Sequence, residues 1–139
     1  MWNHDNIVRN NVIALNRDAQ TWGWFDISDD RHWPSHGSDV DANRLSLEKL
    51  NLTLRNNLYF TGPGAELFNW GVTWKKNKRY QSLELVREEL GLEQGSKLAE
   101  FAVSDFSALD FRVPTGSTAV KMGCYPKGTI PGVQLGILE

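Results

Sequence analysis

Cysteine occurs once in these 139 residues, at Cys124, so no disulfide can close within the chain and a thiol-preserving compartment is the expected setting. Long apolar runs are missing as well. Nothing approaches the roughly eighteen residues that a membrane-spanning helix needs, and the start, MWNHDNIVRN, lacks the apolar stretch of a signal peptide. A cytoplasmic protein without membrane contact is expected. There is no basic excess either, since 15 Lys and Arg stand against 17 Asp and Glu for a formal net charge of −2. Binders of free DNA or RNA usually carry a clear positive surplus, so free nucleic acid is not an expected partner. No linker, low-complexity tract or internal repeat stands out, and the length suits a single domain over residues 1–139.

Aromatic residues, by contrast, are plentiful. Six Trp and six Phe within an apolar content of 40% supply a hydrophobic core without metals or disulfides as staples. The spacing predicts an α+β fold, a mainly antiparallel sheet with two or three helices. Ser82 followed by LELVREELG carries a capping hydroxyl, an apolar stripe and a terminal glycine, which predicts a helix over 82–90. Ile7, Val8, Val12, Ile13 and Leu15 sit at mixed helical spacing and predict a helix within 5–20, with a strand through NVIAL as its competitor because β-branched residues disfavour helix. A further short helix is expected after Ser96. Strands are expected near 22–27, 50–60, 67–76 and 108–125, and the Arg-Asn-Asn triplet at 55–57 reads as a hairpin turn, since asparagine tolerates left-handed backbone angles. The tail from Pro126, with glycine and proline at short intervals, reads as an extended arm or edge strand.

Chemistry-bearing residues concentrate in WGWFDISDDRHWPSHGSDVD, residues 22–41. Asp26, Asp29, Asp30, His32, His36, Asp39 and Asp41 are able to hold a divalent cation, but Pro34 breaks the helical i, i+4 geometry between the two histidines, and the aspartates miss the rhythm of a calcium loop. Ser35, Ser38, His36 and Asp39 are too close in sequence to converge as a catalytic triad. Cys124 beside Lys121 and Lys127 reads first as a small buried hydrophobe and only second as an activated thiol. WKKNKRY, 74–80, pairs cations with aromatics as single-strand binders do, yet a charged turn explains it as well. TGPG at 61–64 lacks the Gly-Lys-Ser/Thr ending of a phosphate loop.

The expectation that unites these features is a small protein-binding inhibitor, of the immunity-protein or phage-encoded kind. Trp24, Asp26, Asp29, Asp30, His32, Trp33, His36, Asp39 and Asp41 would form its contact surface: an indole anchor inside a carboxylate rim. Its expected partner is a protein or protein–nucleic acid complex with a basic surface, and no cofactor is expected. The alternative is a metal-dependent hydrolase or nuclease built on the same Asp/His-rich segment. A self-assembling structural subunit is a third possibility.

Overall fold

A computed structural model describes residues 5–23, 51–72, 76–105, 107–127, 132 and 135. Among these residues eight strands and two helices follow one another as β1 (Ile7–Arg9), β2 (Val12–Ala14), β3 (Ala19–Gly23), β4 (Thr53–Arg55), β5 (Leu58–Phe60), β6 (Glu66–Val72), β7 (Lys76–Tyr80), α1 (Leu83–Leu90), β8 (Lys97–Leu98) and α2 (Thr118–Lys121). The pairing is largely parallel. β1 pairs with β4, β2 with β5 and β3 with β6, all in parallel, and β5 pairs in parallel with β8. Only β6 and β7 form an antiparallel ladder among the named strands.

The chain therefore passes over the same path repeatedly, and each pass can be called a rung. β1, β2 and β3 make the first rung, β4, β5 and β6 the second, and Gln94 with β8 a shorter third, Gln94 bridging in parallel to Arg55. The bends between strands coincide. Asn10, Asn56 and Gly95 all have left-handed backbones, with φ of 58°, 53° and 75°, and they occupy the same corner of successive rungs. Asparagine and glycine are the residues that take this conformation at least cost. A single left-handed residue turns the chain without reversing it, so the next strand starts a new side of the coil.

This arrangement corrects the mainly antiparallel α+β expectation. Arg55-Asn56-Asn57 is a corner between β4 and β5, and neither strand folds back on the other, because each finds its partner in the equivalent strand of the first rung. Arg9-Asn10-Asn11 is the same triplet at the same corner, so an internal repeat exists that the sequence reading missed. No helix forms within 5–20. The left-handed Asn10 and Leu15 interrupt it, and Ile7, Val8, Val12 and Ile13 keep the χ1 freedom that a helix would restrict. The segment after Ser96 makes the two-residue β8 and no helix. In place of strands over 108–125 there is an isolated bridge between Asp105 and Asp110 and the four-residue helix α2.

The 82–90 helix forms where the capping signals place it. Ser82 Oγ accepts from the Leu85 amide at 3.3 Å, and Gly91 closes the helix with φ 67°. Its buried face, Leu83 and Val86, packs with Leu54, Tyr59, Leu67, Phe68, Trp70, Tyr80 and Leu92 in the larger core cluster. Each such buried side chain contributes about 1.5–3 kcal/mol. A second cluster lies where Val113 and Ala119 cover Leu58, with Val12, Phe101, Val120 and Cys124 packed around them. The tail returns to the body at Gly132, where a Cβ would come 2.1 Å from the Phe111 carbonyl oxygen, so only glycine fits.

Candidate docking edge

The most concentrated polar chemistry among the described residues is buried. Glu93 and Asn57 are wholly hidden, and Tyr59 and Ser96 nearly so. The Asn57 amide donates to both Glu93 carboxylate oxygens at 3.4 and 3.2 Å, and the Tyr59 hydroxyl donates to Oε1 at 2.7 Å. Ser96 Oγ donates to Oε2 while accepting from the Asn57 backbone amide at 2.8 Å. Burial, and then the Glu93 charge, push the Tyr59 hydroxyl well above its ordinary range. Arg87 of α1 ties the third-rung corner down from outside, with Nε reaching the Glu93 carbonyl at 3.1 Å and Nη2 the Ser96 carbonyl at 2.5 Å.

A carboxylate surrounded by four donor contacts has little lone-pair capacity left for a proton or a substrate. Its partners come from the second and third rungs, so it fastens those rungs together. A groove of about 390 Å³, lined by Ser82, Glu84, Arg87, Ser96, Lys97 and Leu98, lies against this region. Arg87 already spends its guanidinium on two backbone carbonyls and on Glu84. The buried group therefore reads as a structural knot.

The opposite end of the stack is different. Asn56 Nδ2 donates to Asn10 Oδ1 at 2.6 Å, and Asn51 Nδ2 to Asp5 Oδ1 at 2.9 Å, linking the first two rungs side chain to side chain. Asn11 accepts Leu58 N–H through its carbonyl at 2.8 Å and donates its own N–H to Asn57 Oδ1 at 3.0 Å. Beyond the first rung, no described strand continues the ladder. The Thr53 amide donates to the Asn6 carbonyl at 2.9 Å, and the Leu15 amide to the Phe60 carbonyl at 2.9 Å. In a parallel strand, backbone groups of neighbouring residues point to opposite sides. The N–H and C=O of Ile7, Val12 and Ala14 and the N–H of Arg9 consequently face away from the second rung, whereas the Arg9 carbonyl accepts from Asn11 Nδ2 at 2.9 Å.

Apolar side chains accompany these groups. Ile7 and Leu15 are each 62% exposed, and Val8, stacked in register with the buried Leu54, is 36% exposed. An edge strand that shows unpaired backbone groups and apolar side chains is a template for another chain, and soluble proteins normally cover or charge it. Arg9 supplies the charge here.

Trp24, Asp26, Asp29, Asp30, His32, Trp33, His36, Asp39 and Asp41 all lie outside the described residues. Among the described residues, no three His, Cys, Asp or Glu side chains gather as a metal site would require, and no helix is long and apolar enough to cross a membrane. Cys124 is half-buried, and that burial pushes its thiol up, away from the activated state. Two basic residues of β7 are engaged within the chain. Lys78 Nζ pairs with Glu89 at 2.5 Å and Arg79 with Glu66 at 3.0 Å. The open edge escaped the sequence reading, although the corner that bends it is present twice as Arg-Asn-Asn. No family model, no curated protein and no solved structure matches the chain.

Proposed function

We propose that this chain is a non-enzymatic protein-binding module that docks through the outer edge of its first rung, the line of Ile7, Arg9, Val12 and Ala14. The observation that carries the reading is a parallel edge that no further strand among the described residues pairs, with Ile7 and Leu15 each 62% exposed beside it. Addition of a strand to such an edge gives affinity through main-chain hydrogen bonds and specificity through side-chain columns. The buried Glu93 group supports the reading indirectly, because it stiffens the far rungs and leaves the near edge pre-organised, which lowers the ordering cost of binding. The lone thiol of Cys124 suits a reducing, cytoplasmic setting.

A second reading is the blocking inhibitor whose contact is the acidic, aromatic segment 24–41. What favours it is connectivity, since that segment leaves the chain directly after β3, a strand of the first rung. Site-specific photo-crosslinking in cells that make the protein separates the two. A crosslinker at Ile7 or Leu15, and not at the also exposed Leu85 or Leu109, captures one protein if the edge is the contact. Capture from Trp33 alone would overturn the edge reading in favour of the segment.

A further inference from the structure

We infer that the partner on this edge is a further polypeptide rung from another protein: a strand, one left-handed residue and a second strand, running parallel to residues 7–14, with a carboxylate over Arg9. The inference rests on the edge reading above and specifies its occupant.

The corner carries the first step. β1 and β2 each present an outer edge, but Asn10, with φ 58°, bends the chain between them. A straight strand therefore covers only one of the two, and an occupant that satisfies Ile7, the Arg9 N–H, Val12 and Ala14 together must bend at the same place, the Arg9 carbonyl being held by Asn11 Nδ2. Asparagine, glycine and aspartate are the residues suited to that bend. The side-chain ladder points the same way. Asn56 donates to Asn10 Oδ1, so Asn10 Nδ2 is the next donor outward, and an asparagine oxygen in the added rung continues the column.

Charge selects the residue before the corner. Arg9 and Arg55 are exposed and in register, so two like charges occupy neighbouring positions of one ladder. The third rung relieves Arg55 with the neutral Gln94. Beyond Arg9 a carboxylate offsets the repulsion, because opposite charges directly across a ladder are favourable and like charges are not. Inside the coil, Val8 ends the column begun by Leu54, and an apolar side chain one position before that carboxylate closes it.

A second copy of this chain matches less well. Its third rung offers only the two-residue β8 and the single bridge at Gln94 against the three-residue β1 and β2. The occupant is thus a different chain with two full strands.

The test uses the full chain, isotope-labelled for amide exchange by NMR, and two synthetic peptides: a copy of residues 51–60 and the same peptide with Arg55→Glu. At a peptide concentration four times its dissociation constant, the glutamate peptide is expected to slow exchange of the Ile7, Arg9, Val12 and Ala14 amides about fivefold. It should bind about fivefold more tightly than the arginine peptide, as one favourable charge pair implies. Asn10→Gly, which keeps the left-handed corner but removes the amide, should weaken that binding about fivefold. Equal affinity of the two peptides, no slowing at the four amides with millimolar peptide, or concentration-dependent self-association of the protein alone would each overturn the inference. If Ile7 and Leu15 crosslink to a protein while neither peptide protects the edge, the edge reading stands and only the rung is wrong.

Discussion

Asn10 and Asn56 are 46 residues apart in the chain and 2.6 Å apart in space, with the Asn56 amide donating to the Asn10 side-chain oxygen. Asn56 Nδ2 also reaches the Met122 carbonyl at 2.9 Å, so one side chain joins two rungs and the segment that follows α2. Asn56→Ala loses both bonds and places a Cβ residue without local compensation in a left-handed backbone, at a cost of about 2–3 kcal/mol. Asn56→Gly keeps the backbone comfortable and should cost about 1 kcal/mol less. Urea midpoints of the two variants check the order, which reverses if the corner is not left-handed.

Gly95 holds the equivalent corner of the third rung with φ 75°, and a Cβ there would meet Asn56 Oδ1 at an ordinary 3.7 Å. Asparagine therefore fits, tolerates the backbone and reduces the freedom of the unfolded chain. Gly95→Asn is expected to change stability by less than about 0.5 kcal/mol or to raise it, whereas Gly132→Ala, blocked by the Phe111 carbonyl, lowers it by about 2 kcal/mol or more. Paired thermal melts measure both.

Much of this was legible in the sequence only in fragments. The α1 boundaries follow from Ser82 and Gly91 because capping is local chemistry. Arg-Asn-Asn was correctly seen as a place where asparagine takes left-handed angles, but a left-handed residue serves a hairpin and a coil corner alike. What distinguishes them is the partner strand, and that lies 46 residues away. A period of this length, followed by one of 39 between Asn57 and Ser96, escapes a search for even spacing. β6 is buried on both faces: Phe68 and Trp70 alternate as a one-faced strand would, yet Leu67 and Asn69 beside them are also buried. The candidate segment 24–41 was chosen for its composition, which says nothing of strand edges.

Glu93 tests the structural knot. Glu93→Leu leaves Asn57, Tyr59 and Ser96 with donors aimed at an apolar side chain, and should destabilise by about 3–5 kcal/mol. Glu93→Gln keeps the shape but turns one acceptor into a donor, and should cost about 1–3 kcal/mol. A measurable activity lost in Glu93→Gln at unchanged stability would instead mark the group as catalytic.

Alkaline pH acts on the same group through Tyr59. Its folded-state value is raised above the ordinary 10.0 by burial and then by Glu93, so the folded state favours the neutral phenol. That contribution is complete below pH 10.0 and declines as pH rises beyond it, because the unfolded chain ionises first. Denaturant midpoints should fall with pH above this point, and Tyr59→Phe should flatten the slope while lowering stability overall. Cys124 and Tyr125, both also raised by burial, contribute to the slope that remains.

Substitutions on the outer edge should leave the fold alone. Ile7→Lys removes an exposed apolar side chain and is expected to shift stability by less than about 0.5 kcal/mol, while abolishing crosslinking from Leu15. A large loss of stability would mean that Ile7 is covered within the chain.

Residue-resolved amide exchange across 6–15 in the unliganded protein tests the parallel stack and its open edge together. The stack predicts alternation, with slow exchange at Val8, Ile13 and Leu15, whose groups face the second rung, and fast exchange at Ile7, Arg9, Val12 and Ala14. Uniformly slow exchange through the segment would mean that its outer side is already paired, and uniformly fast exchange that the first rung does not stack at all; either result contradicts the account.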